Sequence, residues 1–92
     1  MSEKHDFIEE GDGVATITFS RKRSINGAEV GFIVMREPTV NDQLVADKLK
    51  VSSGEQEVAI FSNLCECAPD DIRKLPLRDY KRLQLAYVSF ID

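Results

Sequence analysis

Apolar and polar residues alternate near the start of the chain. In the stretch VATITFS, the apolar residues Ala15, Ile17 and Phe19 are separated by threonine and serine. A period of two in β-branched and aromatic residues is typical of a half-buried strand. Asn26 and Gly27 follow, the preferred pair for a type I′ turn because both residues must adopt positive φ. The pattern predicts a β-hairpin.

The run AEVGFIVMRE after this turn is also strand-like, and we expect Val30, Phe32 and Val34 to share its buried face. Pairing the two strands directly across the turn would place Phe19 opposite Val34, which keeps apolar side chains together. The same register would place Arg21 opposite Phe32. A bulge or a fraying tip is therefore expected near the turn.

The second strand is expected to end at Pro38, which cannot donate a ladder hydrogen bond. A first helix is predicted over Val40–Lys50, although its apolar stripe is ragged. Thr39 offers a hydroxyl N-cap, and Asp42 lies in the first turn, where a carboxylate is favourable.

Residues 55–67 form the second predicted helix, and Ser53 with Gln56 predicts a capping box before it. Apolar side chains cover about half of its circumference, so we expect this helix at the centre of the domain. Pro69 suits the first position of a short third helix.

The phrase LPLRDY predicts a break and a new helix, because the residue before Pro76 avoids helical angles. Leu75 and Leu77 are the expected anchors on either side of the break. The last helix is predicted over Leu77–Ile91. Its expected apolar stripe consists of Tyr80, Leu83, Tyr87, Phe90 and Ile91.

These elements predict an α+β fold, an N-terminal β-hairpin followed by three to four short helices. The chain has 92 residues, enough for one small domain, which we place at residues 14–92. Residues 1–13 are acidic and polar and are expected to form a flexible arm. The chain shows no signal peptide and no apolar run of the roughly 20 residues that cross a bilayer. We therefore expect a cytoplasmic protein without a membrane partner.

Residues that could carry chemistry are few. His5 lies in the expected arm, and Cys65 with Cys67 supplies two soft ligands where a closed zinc site needs four. No glycine-rich phosphate loop is present. The sequence therefore predicts no catalytic, cofactor-binding or metal-binding residues, and the cysteines are interpreted as packing residues.

Basic residues form two groups, although the net charge of the chain is −4. A net negative charge argues against nonspecific nucleic-acid binding. The alternative function is nevertheless a small regulatory or nucleic-acid-binding protein that uses the basic last helix. The two groups are Arg21, Lys22 and Arg23 near the turn, and Arg73, Lys74, Arg78, Lys81 and Arg82 near the end.

Apolar surface left after folding is the most informative feature for function. On the central helix, Ile60, Leu64 and Cys67 form the edge that we expect to bind a partner, together with Leu85 of the last helix. Two alternatives remain open: this edge packs against the first helix, or it mediates self-association. A single exposed leucine such as Leu85 is also normal on a protein surface.

Two phrases in register resemble a known family. MREPTVNDQL (Met35–Leu44) and NLCECAPDDIRKLPLRDYKRLQ (Asn63–Gln84) are similar to signatures of the small tail assembly chaperones of long-tailed bacteriophages. The resemblance is strongest to those of contractile-tailed, transposable-type phages and related prophages, and it extends from about Thr16 to Phe90. Cys65 and Cys67 are not part of the family's pattern.

The resemblance implies a nonenzymatic, cofactor-free role in the host bacterial cytoplasm. Such chaperones bind the tape measure protein, keep it soluble, help to recruit tail tube subunits and are absent from the mature virion. A longer frameshifted form of the same protein is a further implied partner. Apart from the resemblance, the apolar edge of the central helix could bind a second copy of the chain, and the net charge predicts no nucleic-acid partner.

Overall fold

A computed structural model describes residues 5–92 of the chain. It confirms the α+β fold, with a three-stranded antiparallel sheet of order β1-β2-β3 followed by four helices in those residues. The strands are β1 (Ile8–Gly11), β2 (Val14–Ile25) and β3 (Ala28–Arg36). The helices are α1 (Val40–Asp47), α2 (Ser53–Cys65), α3 (Pro69–Arg73) and α4 (Leu77–Ile91).

Strand β1 lies within the segment that the sequence predicted as an arm. It pairs with β2, so that Ile8 stands opposite Ile17 and Gly11 opposite Val14. The connecting turn, Asp12-Gly13, has positive φ at both residues, as a type I′ turn requires. The expected arm therefore does not reach residue 13, and its first four residues lie outside the described part of the chain.

The turn between β2 and β3 is confirmed, with φ of 54° at Asn26 and 81° at Gly27. The predicted register is wrong, because Val34 pairs with Thr16 and Phe32 with Thr18. A bulge interrupts the ladder between Thr18 and Arg23 and places residues 19–22 of β2 opposite Gly31.

The bulge also reverses the face of β3. It adds three residues to β2, and an odd shift turns every side chain of a paired strand to the other side. Ile33 and Met35 are consequently buried, whereas Phe32 and Val34 are exposed. Phe32 and Val34 therefore do not line the core face as predicted, whereas Val30 is half-buried and packs against the core. The predicted core residues of β2 are confirmed as buried.

The helices cover one face of the sheet, and the core lies between the two layers. Phe61 of α2 is completely buried and packs against two tyrosines of α4, with ring centroids 5.5 Å from Tyr80 and 5.6 Å from Tyr87. Leu83 is completely buried in the same core, whereas Ile91, predicted in the apolar stripe of α4, is exposed.

The helix starts follow the sequence signals closely. Thr39 is the N-cap of α1 as predicted, and Asp42 does more than expected because the two residues cap the helix reciprocally. The helix ends three residues before the predicted Lys50. The N-cap of α2 is Ser52 rather than Ser53, because the Ser52 hydroxyl accepts the Glu55 N–H at 3.2 Å. The helix accordingly begins and ends two residues before the predicted bounds.

Pro76 is the N-cap of α4, so the LPLRDY phrase starts this helix as predicted. Of the two expected anchors, Leu75 is buried and is confirmed. Leu77 is 84% exposed, and its prediction as an anchor is wrong. The first turn of α4 is held instead by the polar contacts of Asp79 described below.

Candidate functional site

The edge of α2 that the sequence singled out lies mostly in the core. Ile60 is 9% exposed and Leu64 is 1% exposed, in a cluster that also contains Ala46 of α1. Cys67 and Leu85 are partly exposed. Helix α2 is enclosed because the sheet, α1 and α3 all contact it, which leaves little of its apolar half uncovered.

The exposed apolar side chains concentrate on a different element. Within residues 5–92, ten large apolar residues are exposed, and five of these ten lie between positions 40 and 51. We call these five the α1 surface: Val40, Leu44, Val45, Leu49 and Val51. The sequence signal for this exposed surface was the ragged apolar pattern of the stretch. Its apolar residues are spread around the helix, so the core cannot cover all of them.

The orientation of α1 follows from its single buried residue, Ala46. At about 100° per residue, Val40 and Leu44 lie some 40° apart, and both lie well over 90° from Ala46 around the helix. The core side of α1 is therefore small, and its aliphatic side chains point into solvent.

Polar contacts fix the start of α1 on the sheet. Both oxygens of the Asp42 carboxylate accept hydrogen bonds from Arg36, the last residue of β3, each at 2.8 Å. These Arg36 bonds, with help from Thr39, outweigh the opposing effect of desolvation and lower the pKa of Asp42. The REPTVND phrase thus ties a strand to a helix.

A second ionic contact joins α4 to the bulge of β2. Asp79 is completely buried and accepts the Ser20 N–H at 2.8 Å, the Ser20 hydroxyl at 3.1 Å and Arg23 Nε at 2.7 Å. Burial alone would raise the pKa of Asp79, but these three hydrogen bonds outweigh it and the pKa is lowered. The sequence analysis did not identify this contact, because Ser20 and Arg23 lie 59 and 56 positions away from Asp79.

The Asp79 contact brings two basic groups of the sequence together. Ser20, which Asp79 binds, directly precedes Arg21 and Lys22. Arg82 of α4 donates to the Thr18 carbonyl at 2.7 Å, and its guanidinium lies 4.3 Å from the Phe7 ring centroid. We define the basic surface as the cations around these contacts: Arg21, Lys22, Arg78, Lys81 and Arg82.

The cysteines are protonated packing residues in this structure. Burial raises the pKa of Cys65 to about 12 and that of Cys67 to about 11, with smaller contributions from nearby negative charge. A thiol is a nucleophile or a metal ligand only as thiolate. In the described residues, no group of three or more His, Cys, Asp or Glu side chains is arranged to hold a metal ion. His5 stacks on Phe7, with ring centroids 5.1 Å apart.

Comparison with known protein families finds a match. A family model described as "Phage tail assembly chaperone proteins, E, or 41 or 14" matches residues 16–92. No curated protein and no solved structure matches significantly. No helix in the described part of the chain is long and apolar enough to cross a membrane.

Proposed function

Because the chain belongs to the phage tail assembly chaperone family, we propose that it is a nonenzymatic chaperone that binds the tape measure protein and keeps it soluble. It acts in the host bacterial cytoplasm, helps to recruit tail tube subunits and is left out of the mature virion. A longer frameshifted form and a second copy of the chain are further partners in this proposal. The family match supports a role in tail assembly.

The α1 surface is where we place the tape measure segment. Five of the ten exposed large apolar residues in the described part of the chain lie within these twelve positions, and Val40 and Leu44 share one side of α1. Contiguous exposed apolar area is typical of interaction sites. An amphipathic helix that lays its apolar face against this area would remove both apolar surfaces from water.

The α2 edge would contribute to the same site only after a movement. Ile60 and Leu64 contact a partner if α1 moves off the core, whereas Val40 and Leu44 need no movement. Ala46 is the one residue that α1 buries, so such a movement exposes little of α1 itself. Cys67 is partly exposed and is kept in this proposal as a candidate contact at the end of α2, and Leu85 is kept as one on α4.

Coexpression of the chain with fragments of the tape measure protein tests this placement. We expect Leu44→Asp to lose the soluble fragment, because the carboxylate would be desolvated in the complex. Asn41→Asp is the matched control, since it adds the same charge at an exposed polar position of α1. Both variants should first be shown to melt like the parent.

A folded Leu44→Asp variant that retains the fragment as well as Asn41→Asp would move the binding site away from α1. Loss of the fragment in both variants would indicate that any added negative charge on α1 is harmful, and the apolar contact would not be supported. Retention by the parent without any gain in fragment solubility would contradict the chaperone function itself.

A further inference from the structure

We propose that the basic surface is a second docking site, separate from the α1 surface, for an acidic helical segment of a partner protein. The proposal does not depend on the tape measure protein being the partner of α1. It rests on the tertiary convergence of the two basic groups, on the charge distribution of the chain and on the apolar residues of α4 beside the cations.

The convergence is created by contacts across 59 to 64 positions of the sequence. Asp79 binds the backbone N–H of Ser20, and Arg82 binds the carbonyl of Thr18. The first bond holds Ser20, the residue directly before Arg21 and Lys22, against the first turn of α4. Neither group alone provides this concentration of positive charge.

Within residues 5–92, the cations of this surface form no ion pairs. The acidic residue nearest to them in the sequence, Asp79, is buried and pairs with Arg23, which is not one of the five. Among the described residues, no carboxylate lies within ion-pair distance of Arg21, Lys22, Arg78, Lys81 or Arg82. Since the whole chain carries −4, five positive charges here leave −9 elsewhere. A negative partner is therefore attracted to this surface and repelled by the rest.

Part of the surface is already ordered before binding. Arg82 is held by the Thr18 carbonyl and by the Phe7 ring, so its guanidinium loses little freedom in a complex. The backbone of the bulge is held in the same way by Asp79. Fixed cations favour a partner whose carboxylates are spaced to match them.

The exposed apolar residues of α4 indicate which kind of partner segment fits this surface. Leu77 is 84% exposed, and Lys81, Leu85 and Val88 follow it at spacings of four, four and three, along one side of the helix. Arg78 and Arg82 lie about 20–140° around the helix from the residues of this line, both on the side towards Asp79 and the bulge. An amphipathic helix fits, with aliphatic side chains against Leu77 and Val88 and carboxylates towards the arginines.

Nucleic acid fits this surface less well. Nonspecific binding to a duplex comes almost entirely from cations that neutralise phosphates, and the five cations here belong to a chain that carries −9 elsewhere. Single strands need exposed aromatic side chains on which bases stack. The aromatic ring in contact with this surface, Phe7, is half-buried and covered by Arg82.

Designed peptides and the full chain test the proposal by fluorescence anisotropy. The first probe is a helical peptide with a leucine stripe flanked by glutamates, and the second replaces those glutamates with glutamine. We expect the acidic peptide to bind at least about tenfold more tightly, with an affinity that falls as salt rises. A short DNA duplex is the third probe.

The variant Arg78→Glu/Lys81→Glu should lose about tenfold or more of its affinity for the acidic peptide. Lys48→Glu/Lys50→Glu is the matched control, because it makes the same charge change beyond the end of α1 and should bind like the parent. Leu44→Asp should also bind this peptide like the parent, which separates the outcome from that of the α1 proposal. All variants should melt like the parent.

Three results would overturn the proposal. The first is equal or absent binding of the two peptides. The second is an equal loss in the control variant, which would show that only net charge matters. The third is tighter binding of the DNA duplex than of the acidic peptide, which would assign the surface to nucleic acid instead.

Discussion

Helices α1 and α4 are attached to the same core in opposite ways. Helix α1 buries only Ala46 and exposes aliphatic side chains. Helix α4 buries Asp79, Leu83 and Ala86 and presents cations at its first two turns. Helix α4 still exposes some apolar residues, among them Leu77, but its surface also carries cations, which α1 lacks. A helix held mainly by its cap keeps its apolar residues available for a partner.

The ion pairs that attach the two helices also differ, because the pair at α4 is more deeply buried than the pair at α1. The Arg36–Asp42 pair at α1 is partly solvated, and such pairs contribute up to about 1 kcal/mol. The Arg23–Asp79 pair at α4 has one completely buried member, and removing a partner from a buried pair costs about 3–5 kcal/mol. The comparison teaches that α4 belongs to the stable framework and α1 to its adaptable surface.

The largest expected effect comes from charging one leucine in each helix. Leu83→Asp places a carboxylate in the fully buried position of α4 and should lower the free energy of unfolding by at least about 4 kcal/mol. Leu44→Asp makes the same change on α1 and should cost less than about 1 kcal/mol. Urea unfolding measures both. Equal losses would mean that α1 is as firmly packed as α4.

Removing the carboxylate from each polar contact is the next test. Asp79→Ala should lower the free energy of unfolding by about 3 kcal/mol, because Arg23 and the Ser20 N–H lose their buried partner. Asp42→Ala should cost about 1 kcal/mol through the lost cap. Asp70→Ala, at an exposed position, serves as control. If Asp79→Ala were no worse than Asp42→Ala, the Asp79 contact would not stabilise the fold.

A smaller effect is expected at the cysteines beside the core. Replacing both Cys65 and Cys67 with serine should cost about 1–2 kcal/mol, because a hydroxyl is buried less favourably than a protonated thiol. Partner binding should be unchanged. Thermal melts and metal analysis of the purified protein check this expectation. A stoichiometric metal ion that disappears in the double variant would contradict it.

The smallest expected change concerns acid pH. The pKa values of Asp79 and Asp42 are lowered in the folded protein, so their stabilising contribution is complete above the ordinary carboxyl pKa of about 4. It is lost as pH falls through the folded values, because protonation breaks the ionic contacts. Asp79→Asn should therefore show a shallower loss of stability below about pH 4 than the parent. Parallel curves would indicate that Asp79 is not ionised in the fold.

Much of the local structure could be predicted from short stretches of the chain. The core face of β2, the turn at Asn26 and Gly27, the cap at Thr39 and the start of α4 follow from residues that interact with near neighbours. Such signals lie within four or five positions of one another. They need no knowledge of the rest of the chain.

The candidate site was predicted less well. Ile60 and Leu64 were expected at an open edge, but an apolar half-helix does not reveal how many neighbours will cover it. The α1 surface was missed because its apolar residues are spread around the helix. The residues of the α2 edge and those of the α1 surface are all apolar in the sequence. Whether each side chain is buried depends on how the helices and the sheet pack against one another.

The face of β3 shows most clearly what the tertiary structure decided. The composition of β3 made it a strand, but two apolar sets alternate along it, and either could have faced the core. A three-residue bulge in β2 selected Ile33 and Met35. That bulge is held by Asp79, which is 59 positions away from Ser20 in the chain. Local residues determined that β3 would be a strand. Which face of β3 packs on the core was decided by the bulge in β2, and that bulge is bound by a carboxylate far away in the sequence.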